Sequence, residues 1–314
     1  MIGKGVMGRK KKTELSIEKV YKYDISKSNT FVMTAAFDYS LIETKLFNYI
    51  LTKVHPDDEK KNNVEEELDP LSYIVDFDEF CKMAGMKICG VSYQYIKTGL
   101  ENLMKKIINM KIDIGTSDSG TTGIHFLDRY LYFDKKGYAI VRIDDRMIPF
   151  VIKMNSNFLK YNPRYTMLAD SKYTDRIYNY LKASMDKRQS GIKKGVMGTF
   201  KKDDFIRMSK EEKDKYVEEY KKMREQTYEI SVDIQEFKYI LNISPNIKGY
   251  KMLESKVLDK SRKEINAFSN IFIEDISYSD QTNKITFKVR YKEATEICKV
   301  NMNISEKINN TYLL

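Results

Sequence analysis

One predicted helix, at residues 92–108, carries on one face the side-chain types that proteins use to contact DNA. Successive residues turn by about 100° around a helix. With Leu100 at the centre of the buried side, Gln94, Thr98 and Lys105 fall on the opposite side. A glutamine amide can pair with adenine through two hydrogen bonds, and a lysine can contact guanine or phosphate. The sequence therefore predicts a DNA-contacting face with these candidates: Ser92, Gln94, Lys97, Thr98, Lys105 and Lys106.

The buried side of this helix is predicted from apolar residues at helical spacing. A helix that only faces solvent on its outer side would show a similar pattern. The first helix alone therefore does not separate DNA binding from an ordinary surface. The residues expected in the core are Ile96, Leu100, Leu103, Met104 and Ile107.

A second predicted helix, at residues 250–268, has a more basic outer face. Its expected core side is Leu253, Val257, Ser261, Ile265 and Phe268. Between Lys251 and Glu264 the chain has five basic and three acidic residues. A helix exposed only to solvent would more often balance its charges, so DNA binding is favoured. The candidate contacts are Lys248, Lys251, Ser255, Lys256, Arg262 and Lys263, with Lys284 in the hairpin that follows.

The overall charge agrees with a polyanionic partner. The chain has a formal net charge of +10 and an isoelectric point near 9.1. An excess of this kind favours nucleic acid. Lysine is also simply abundant in this chain, so the placement of the charges has to decide.

Length and hydropathy indicate a soluble protein of about two domains. The 314 residues have a mean hydropathy of −0.53 and contain no apolar run long enough to span a membrane. The basic N-terminus has no apolar segment of the kind found in secretory signals. Three scattered cysteines predict reduced, mostly buried thiols in a cytoplasmic protein.

The two candidate helices lie in segments that resemble each other. The stretch from Val75 to Phe80 returns 157 positions later, from Val232 to Phe237. The same shift places Tyr93 on Tyr250, Lys106 on Lys263, Ile108 on Ile265 and Asn109 on Asn266. Such a repeat indicates one structural unit used twice. Chance similarity between segments rich in Lys, Ile and Tyr is the alternative.

Each unit is predicted to run helix, strand, helix, turn, long helix and then strands. In the first unit, Asp76 can cap the helix that follows a strand at residues 73–75, and residues 85–90 form the turn. Strands are expected at residues 110–114, 126–133 and 138–143, with a turn-rich segment at 115–123. This order is that of a winged helix-turn-helix, whose last helix can enter the major groove.

The predicted fold class is α+β, with tandem winged helix-turn-helix domains related by internal duplication. Residues 1–24 are expected to form a basic flexible tail and residues 25–148 the first domain, used for dimerisation and DNA binding. Residues 149–292 would form the second DNA-binding domain, with a helical connection at 150–168 and a charged insert at 187–226. Residues 293–314 are expected to form a C-terminal tail.

Catalytic and cofactor motifs are scarce. The two histidines, His55 and His125, are isolated, and the chain has no Walker A sequence and no C-x-x-C pair. Gly3 to Gly8 matches G-x-G-x-x-G, but nothing resembling a strand precedes it, so the match is interpreted as coincidence. We expect no enzyme activity, no cofactor and no metal.

Three segments resemble the iteron-binding plasmid replication initiators, a family built from two winged helices. They are Asn157 to Tyr161, Ser171 to Leu181 (SKYTDRIYNYL) and Lys263 to Asn266 (KEIN). The likeness extends over about residues 30–291. It implies binding to repeated sites at a plasmid origin, opening of an adjacent AT-rich region, and recruitment of the host initiator and helicase.

The resemblance also implies monomers on the repeats and dimers at the protein's own promoter, with the first domain forming the dimer face. The insert at residues 187–226 is longer than the family pattern predicts. From the residues alone, a repressor or partition protein without initiator activity is an alternative. A nickase or recombinase and a protein-interaction scaffold are alternatives of other classes.

Overall fold

The structure is a computed structural model of the chain, and it describes residues 16–55, 71–113, 119–133, 136–154, 157–197 and 208–313. Within these ranges the chain forms two units, each with the order strand, helix, turn, helix and β-hairpin. The glycine motif at residues 3–8 lies outside the described residues.

The first unit, which we call domain 1, has five helices and seven strands among the described residues. The helices are α1 (Ile17–Val20), α2 (Asn29–Thr34), α3 (Leu41–Leu51), α4 (Phe77–Ala84) and α5 (Gly90–Lys105). The strands are β1 (Ile25–Ser28), β2 (Ala35–Ala36), β3 (Ser72–Asp76), β4 (Ile107–Asp113), β5 (Ser119–His125), β6 (Leu127–Tyr132) and β7 (Tyr138–Ile143).

A connection of α6 (Ile148–Val151) and β8 (Phe158–Tyr161) leads to the second unit, domain 2. Domain 2 contains α7 (Thr174–Met197), α8 (Lys210–Glu225), β9 (Tyr228–Asp233) and α9 (Ile234–Ile240). A long helix follows as α10 (Gly249–Leu253), a π-helical turn (Glu254–Leu258) and α11 (Asp259–Phe268). The chain continues with β10 (Ile271–Ser279), β11 (Lys284–Tyr291) and α12 (Ala294–Leu313).

The helix-turn-helix of domain 1 is formed by α4 and α5, as predicted. The Asp76 side chain caps α4 by accepting a 2.8 Å hydrogen bond from the Glu79 amide. Gly85 ends α4 at φ +64°, a left-handed conformation that glycine adopts without a steric penalty. Helix α5 then packs against α3 at Gly99, where a Cβ would lie 2.5 Å from Cδ1 of Leu46. A larger residue at this position would have to displace the Leu46 side chain, so glycine favours this close helix contact.

The wing of domain 1 is the antiparallel hairpin β6–β7, and β3 pairs with β7 to give the strand order β3-β7-β6. The predictions of strands at residues 73–75, 126–133 and 138–143 are confirmed. Val75, Ala139 and Val141 are fully buried on the side of this sheet that faces the helices. The outer side remains exposed.

The segment predicted to be a turn-rich loop at residues 115–123 contains a strand instead. Ser119–His125 pairs with β4, and β2 completes a three-stranded sheet with the order β2-β4-β5. The threonines Thr121 and Thr122 favour strand structure. At Gly123 a Cβ would lie 2.9 Å from Cγ2 of Ile107, so the glycine serves close strand packing rather than a turn.

Two residues assigned to the α5 core are exposed, which corrects the prediction. Met104 is 38% exposed and Ile107 is 49% exposed, whereas Ile96, Leu100 and Leu103 are fully buried. Helix α5 ends at Lys105, so Ile107 is already in strand β4. Side chains alternate along a strand, and the neighbouring residue Ile108 takes the buried position.

Domain 2 repeats the arrangement of domain 1 at the level of single hydrogen bonds. Its sheet order is β10-β11-β9, so the strand before the helix-turn-helix again pairs with the second strand of the wing. The Phe77 amide donates to the Gly137 carbonyl across 2.9 Å, and the Ile234 amide donates to the Asn283 carbonyl across 3.0 Å. Phe77 and Ile234 are 157 positions apart, so the structure confirms the repeat over this stretch.

The correspondence of residues 157 positions apart does not hold in the structure after the first long helix ends. Ile108 and Asn109 lie in strand β4, whereas Ile265 and Asn266 lie in helix α11. The second helix is longer, and domain 1 inserts the β4–β5 hairpin before its wing. The predicted pairing of Lys106 with Lys263 is therefore wrong in structural terms.

Both ends of the described chain are folded where tails were expected. In α1, Ile17 and Val20 are buried, which corrects the expectation of a flexible tail for residues 16–24. In α12, Val300, Ile304 and Ile308 are buried against the domains at i, i+4 and i+8 spacing, so residues 294–313 are part of the fold. Residues 1–15 lie outside the described residues.

The connection between the units is also different from the prediction of a helical segment. Phe158–Tyr161 forms strand β8, which pairs antiparallel with β1. In the insert, α7 continues to Met197, and the predicted capping box of α8 is present between Ser209 and Glu212.

The cysteines are less buried than expected. Cys81 is buried, whereas Cys89 and Cys298 are exposed. No helix in the described part of the chain is both long and apolar enough to cross a membrane.

The units meet at buried polar contacts around the start of α7. Asp175 accepts hydrogen bonds from Asn48 (2.8 Å), Tyr161 (3.0 Å) and Asn179 (2.9 Å), and lies 3.6 Å from the Lys27 ammonium. The neighbouring Arg176 donates to the carbonyls of Ala35 in domain 1 and Ile240 in domain 2, and lies over the Phe37 ring. Helix α7 therefore joins the two domains through its first turn.

Candidate nucleic-acid interface

Three of the six predicted contacts on α5 are exposed on its outer face. Gln94, Thr98 and Lys105 are exposed and follow one another at helical spacing. Lys97 is half-buried, with its ammonium 4.6 Å from the centre of the Tyr132 ring. Lys97 therefore lies where the helix meets strand β6 of the wing.

Ser92 and Lys106 are engaged within the protein, which corrects their assignment to the DNA-facing side. Ser92 is only 6% exposed, and its hydroxyl lies 3.4 Å from the Cys89 thiol. The Lys106 ammonium lies 2.6 Å from a buried carboxylate oxygen of Glu43 and also donates to the Asp38 carbonyl. Lys106 thus ties the end of α5 to the start of α3.

The long helix of domain 2 presents a row of lysines. Lys248, Lys251, Lys256 and Lys263 are exposed, and Ser255 is exposed among them. Within the described part of the chain the ammonium groups of these four lysines form no ion pair and no hydrogen bond. The opposite side is buried as predicted at Leu253, Val257, Ser261 and Ile265, while Phe268 is half-buried against the core. This helix therefore has one core face and one basic face.

Arg262 was predicted to face DNA, but it binds the wing of its own domain. Its Nε donates to the Ile273 carbonyl at 3.3 Å, and its Nη2 donates to the Glu274 carbonyl. These carbonyls lie at an irregularity of strand β10, where the register shifts between Ile273 and Asp275. Asn266 holds the same strand through two further hydrogen bonds with Ile273. We therefore assign Arg262 to the contact between helix and wing.

A π-helical turn interrupts the long helix at Glu254–Leu258. The wider turn buries two consecutive residues, Val257 and Leu258, and exposes Ser255 and Lys256. Short π-helical segments occur often at functional sites. A prediction based on the regular α-helical spacing of 100° per residue cannot identify such a turn.

Lys284 lies at the wing of domain 2, as predicted. It is exposed at the start of β11 and pairs in register with Asp233, the residue that caps α9. The capping hydrogen bonds from the Glu236 and Gln235 amides lower the pKa of Asp233, and the Lys284 charge adds to this effect. The positive charge of Lys284 is therefore partly compensated by the Asp233 carboxylate of the same domain.

Two tyrosines fix the start of the long helices. Tyr93 donates to Asp78, and this hydrogen bond raises the pKa of Tyr93 to about 12. Tyr250 donates to Glu254 at 2.8 Å and stacks on Tyr278 of the wing, with ring centres 4.8 Å apart. Burial, followed by the contact with Glu254, raises the pKa of Tyr250. Both hydroxyls thus remain protonated donors near neutral pH.

The sequence reasoning missed three exposed apolar side chains on these faces. Val91 is 61% exposed and Tyr95 is 57% exposed on α5, and Met252 is 36% exposed on α10. Helical spacing indicated that 91 and 95 lie on the side of Gln94 and Thr98. The search for charged and polar contacts left them out.

The described residues contain no group of three or more His, Cys, Asp or Glu that could hold a metal ion. His55 lies beside the Tyr23 ring, with centroids 6.0 Å apart, and Nδ1 of His125 is buried without a hydrogen-bond partner among the described residues. The two histidines lie in different parts of domain 1.

Comparison with protein families gives two matches in the order of the two folded units. The model of "Initiator Replication protein, WH1" matches residues 24–182, and that of "Initiator Rep protein, WH2" matches residues 233–291. The first match extends past the predicted domain boundary at 148–149 and includes residues 174–182 of α7. No curated protein sequence matches the chain.

A comparison with solved structures supports the same fold. The crystal structure of Pi initiator protein in complex with iteron DNA is similar with a TM-score of 0.56 and 13% identity, over 87% of this chain and 99% of that chain. Domains 2 and 3 of RctB are similar with a TM-score of 0.44 and 10% identity, over 90% and 93% of the two chains. With a WH1 model over half of its length and a WH2 model after it, the chain belongs to the initiator replication protein family.

Proposed function

We propose that this protein is a plasmid replication initiator that binds repeated duplex DNA sites at an origin. The observation that carries the proposal is that α5 and the α10–α11 helix each leave one polar or basic face exposed beside a wing. The major groove of B-DNA is about 12 Å wide and admits an α-helix. Two such helices in one chain suit direct repeats of about 20 base pairs, which is two helical turns.

The exposed lysines of domain 2 would contact phosphates and supply much of the affinity. Each neutralised phosphate releases counterions, so affinity falls with salt in proportion to the number of contacts. Lys251, Lys256 and Lys263 lie on the exposed face without internal partners among the described residues. We expect each to contribute about one contact to the salt dependence.

This assignment is tested by replacing Lys251, Lys256 and Lys263 with alanine and titrating origin-repeat DNA at several salt concentrations. The slope of log affinity against log salt should fall by about three. The matched control replaces three exposed lysines of α8, Lys210, Lys215 and Lys221, so that the net charge changes equally. If both triple variants lose the same affinity and slope, only the overall charge matters and the assigned face is wrong.

Family membership supports a role beyond binding. We propose that the bound protein promotes opening of an adjacent AT-rich region and recruits the host replication initiator and helicase. A plasmid that carries only the origin repeats, the AT-rich region and this gene should replicate in a suitable host. Repeat binding without replication would favour the alternative of a transcriptional repressor or partition-type protein.

We further propose that the protein acts without catalysing DNA cleavage. Incubation with supercoiled origin DNA and a divalent cation should leave the DNA supercoiled. Nicked product that depends on the protein would overturn this part of the proposal.

Self-association would use the outer side of the β3-β7-β6 sheet of domain 1. Ile74, Ile140 and Leu131 lie in register across β3, β7 and β6, and Ile74 and Leu131 are about half exposed. The same row in domain 2 is Ser231, Thr286 and Ser277. An apolar row in one copy and a hydroxyl row in the other distinguishes the two sheets. A self-complementary apolar surface suits a two-fold dimer.

Sedimentation of a variant with lysine at Ile74 and Leu131 tests this surface. It should remain monomeric at concentrations at which the unaltered protein forms dimers. The control places lysine at Ser231 and Thr286, the corresponding pair in domain 2, and should still form dimers. Equal dimerisation of both variants would exclude the domain 1 sheet.

A further inference from the structure

The outer face of α5 has a chemistry different from that of the α10–α11 helix. Val91, Gln94, Tyr95 and Thr98 follow one another at spacings of three, one and three residues, so they form one continuous surface on the helix. Val91 and Tyr95 are both more than half exposed, although three apolar residues of the same helix are completely buried. The domain 1 core is therefore formed without these two side chains.

The exposed face of α5 has basic side chains at its end and at its side, as expected of a surface that enters a DNA groove. Lys105 is exposed at the far end of the helix, and the Lys97 ammonium lies over Tyr132 of the wing at its side. Basic groups around an apolar and amide-bearing centre are complementary to a groove lined by phosphates. The apolar row at Ile74 and Leu131, in contrast, lies on the outer face of the sheet.

A·T base pairs offer the groups that this surface can contact. In the major groove, adenine presents N7 as an acceptor and N6 as a donor, which a glutamine amide can bind together. Thymine presents its C5 methyl group, which apolar side chains contact. Guanine is usually read by Arg or Lys, and none of the four residues of this surface is basic. In domain 2, the helix instead begins with Lys248 and Lys251.

We propose that α5 selects A·T base pairs, with Val91, Tyr95 and the Thr98 methyl group contacting thymine methyl groups while Gln94 binds adenine. This inference rests on the proposed binding to duplex DNA. It divides each binding site into a part under domain 1 that is read through thymine methyl groups and a part under domain 2 that is contacted by lysines. Val91 and Tyr95 would be specificity-determining residues.

Replacement of thymine by uracil tests the proposal, because uracil lacks only the C5 methyl group and keeps the base-pair hydrogen bonds. Duplexes are first selected from a random library by the full-length protein, and the part protected by domain 1 is located by footprinting. Uracil is then placed in that part alone. We expect affinity to fall about fourfold per contacted methyl group, the factor that corresponds to roughly 0.8 kcal/mol for one buried methyl-sized group.

The variant Val91→Ala with Tyr95→Ala provides the matched comparison. It should bind the thymine duplex more weakly than the unaltered protein and should lose most of its sensitivity to uracil in the domain 1 part. Uracil in the domain 2 part should affect both proteins equally. Because both side chains are exposed, the melting temperature of the variant should stay unchanged, which separates loss of contact from loss of fold.

The possible outcomes separate this inference from the proposed function. If the full-length protein selects no duplex, the proposed function itself fails. If it binds DNA tightly but uracil changes nothing, or changes both proteins by the same factor, DNA binding stands and the thymine-reading role of Val91 and Tyr95 is overturned.

Discussion

Replacing Arg262 with alanine should weaken the fold of domain 2 without removing a phosphate contact. Arg262 is half-buried, and its guanidinium joins the α11 helix to the Ile273 and Glu274 carbonyls of the wing. The neighbouring residue Lys263 is exposed on the same helix and has no partner within the described residues. The two adjacent cations therefore separate a structural role from a DNA contact.

The expected loss of stability follows from the hydrogen bonds. A bond between a charged group and a neutral partner contributes roughly 1.5–3 kcal/mol in buried surroundings. Arg262 makes two such bonds but is partly exposed, and water can replace part of them. We therefore expect a loss of about 2 kcal/mol in the free energy of unfolding. For a chain of 314 residues, whose unfolding entropy is about 0.66 kcal/mol per kelvin, that corresponds to a fall in melting temperature of roughly 3 °C.

Thermal unfolding and salt-dependent DNA titration together test the reasoning. The Arg262→Ala protein should melt at lower temperature and bind DNA more weakly, with an unchanged salt slope. The Lys263→Ala protein should melt normally, with a slope reduced by about one. Arg262→Lys should recover little stability, because an ammonium group lacks the planar fork that bridges the two carbonyls.

Two results would refute this account of Arg262. A melting temperature within about 1 °C of the unaltered protein would show that the contact with the wing contributes little. A salt slope reduced as much as in Lys263→Ala would show that Arg262 contacts phosphate, as the sequence pattern had predicted.

Three further substitutions test the packing and the junction. Gly99→Ala should destabilise the protein by about 1 kcal/mol, because overpacking against the buried Leu46 exceeds the gain in helix propensity. Gly90→Ala is the control, because there is open space around Gly90, and it should leave the melting temperature unchanged. A Gly99→Ala protein that is more stable than the unaltered protein would contradict the close contact. Burial lowers the pKa of Lys27 to about 8, below its value in the unfolded chain. The free energy of unfolding should therefore rise between pH 8 and 10, because the folded state loses this proton at lower pH than the unfolded state. In urea unfolding, the Lys27→Met protein should show a smaller rise over this range, and an identical pH dependence would show that Lys27 does not cause it. Asp175→Ala should lower the free energy of unfolding by about 3 kcal/mol, because it leaves polar partners buried at the junction. The variant should also bind DNA with a weaker preference for one spacing between the segments contacted by the two domains. A spacing preference equal to that of the unaltered protein would show that the junction does not determine the spacing.

The helices and wings could be predicted because their signals are local. Asp76 and Asp233 cap helices after short strands, and apolar spacing marked the buried sides of α5 and α11. These features depend on neighbours within a few positions along the chain. The prediction of two winged-helix units is accordingly confirmed by the fold and the family models.

Other features depend on contacts between distant parts of the chain. Whether Arg262 faces DNA or the wing is decided by carbonyls exposed at the irregular stretch of β10, which no helical pattern reveals. Lys106 is half-buried and pairs with Glu43, which lies 63 positions earlier. Helix α12 was missed because its three buried residues, at spacings of four, occur in an otherwise polar segment.

Helix α7 connects the two winged-helix units and is also the first helix of the second unit. The WH1 family match nevertheless includes its first nine residues, 174–182. Buried ion pairs add little net stability on average, but a pair left without one partner is costly. At the start of α7, Asp175 binds side chains of domain 1, while Arg176 donates to one carbonyl in each domain.

These contacts favour the relative placement of the two domains seen in the structure. A placement that separated Asp175 from Asn48, or Arg176 from the Ala35 and Ile240 carbonyls, would leave a buried charge without its partners, which is the costly case. The distance and angle between α5 and the α10–α11 helix therefore depend on the residues that close the junction. If both helices bind one repeat, we expect the first turn of α7 to influence the spacing of the contacted bases within that repeat.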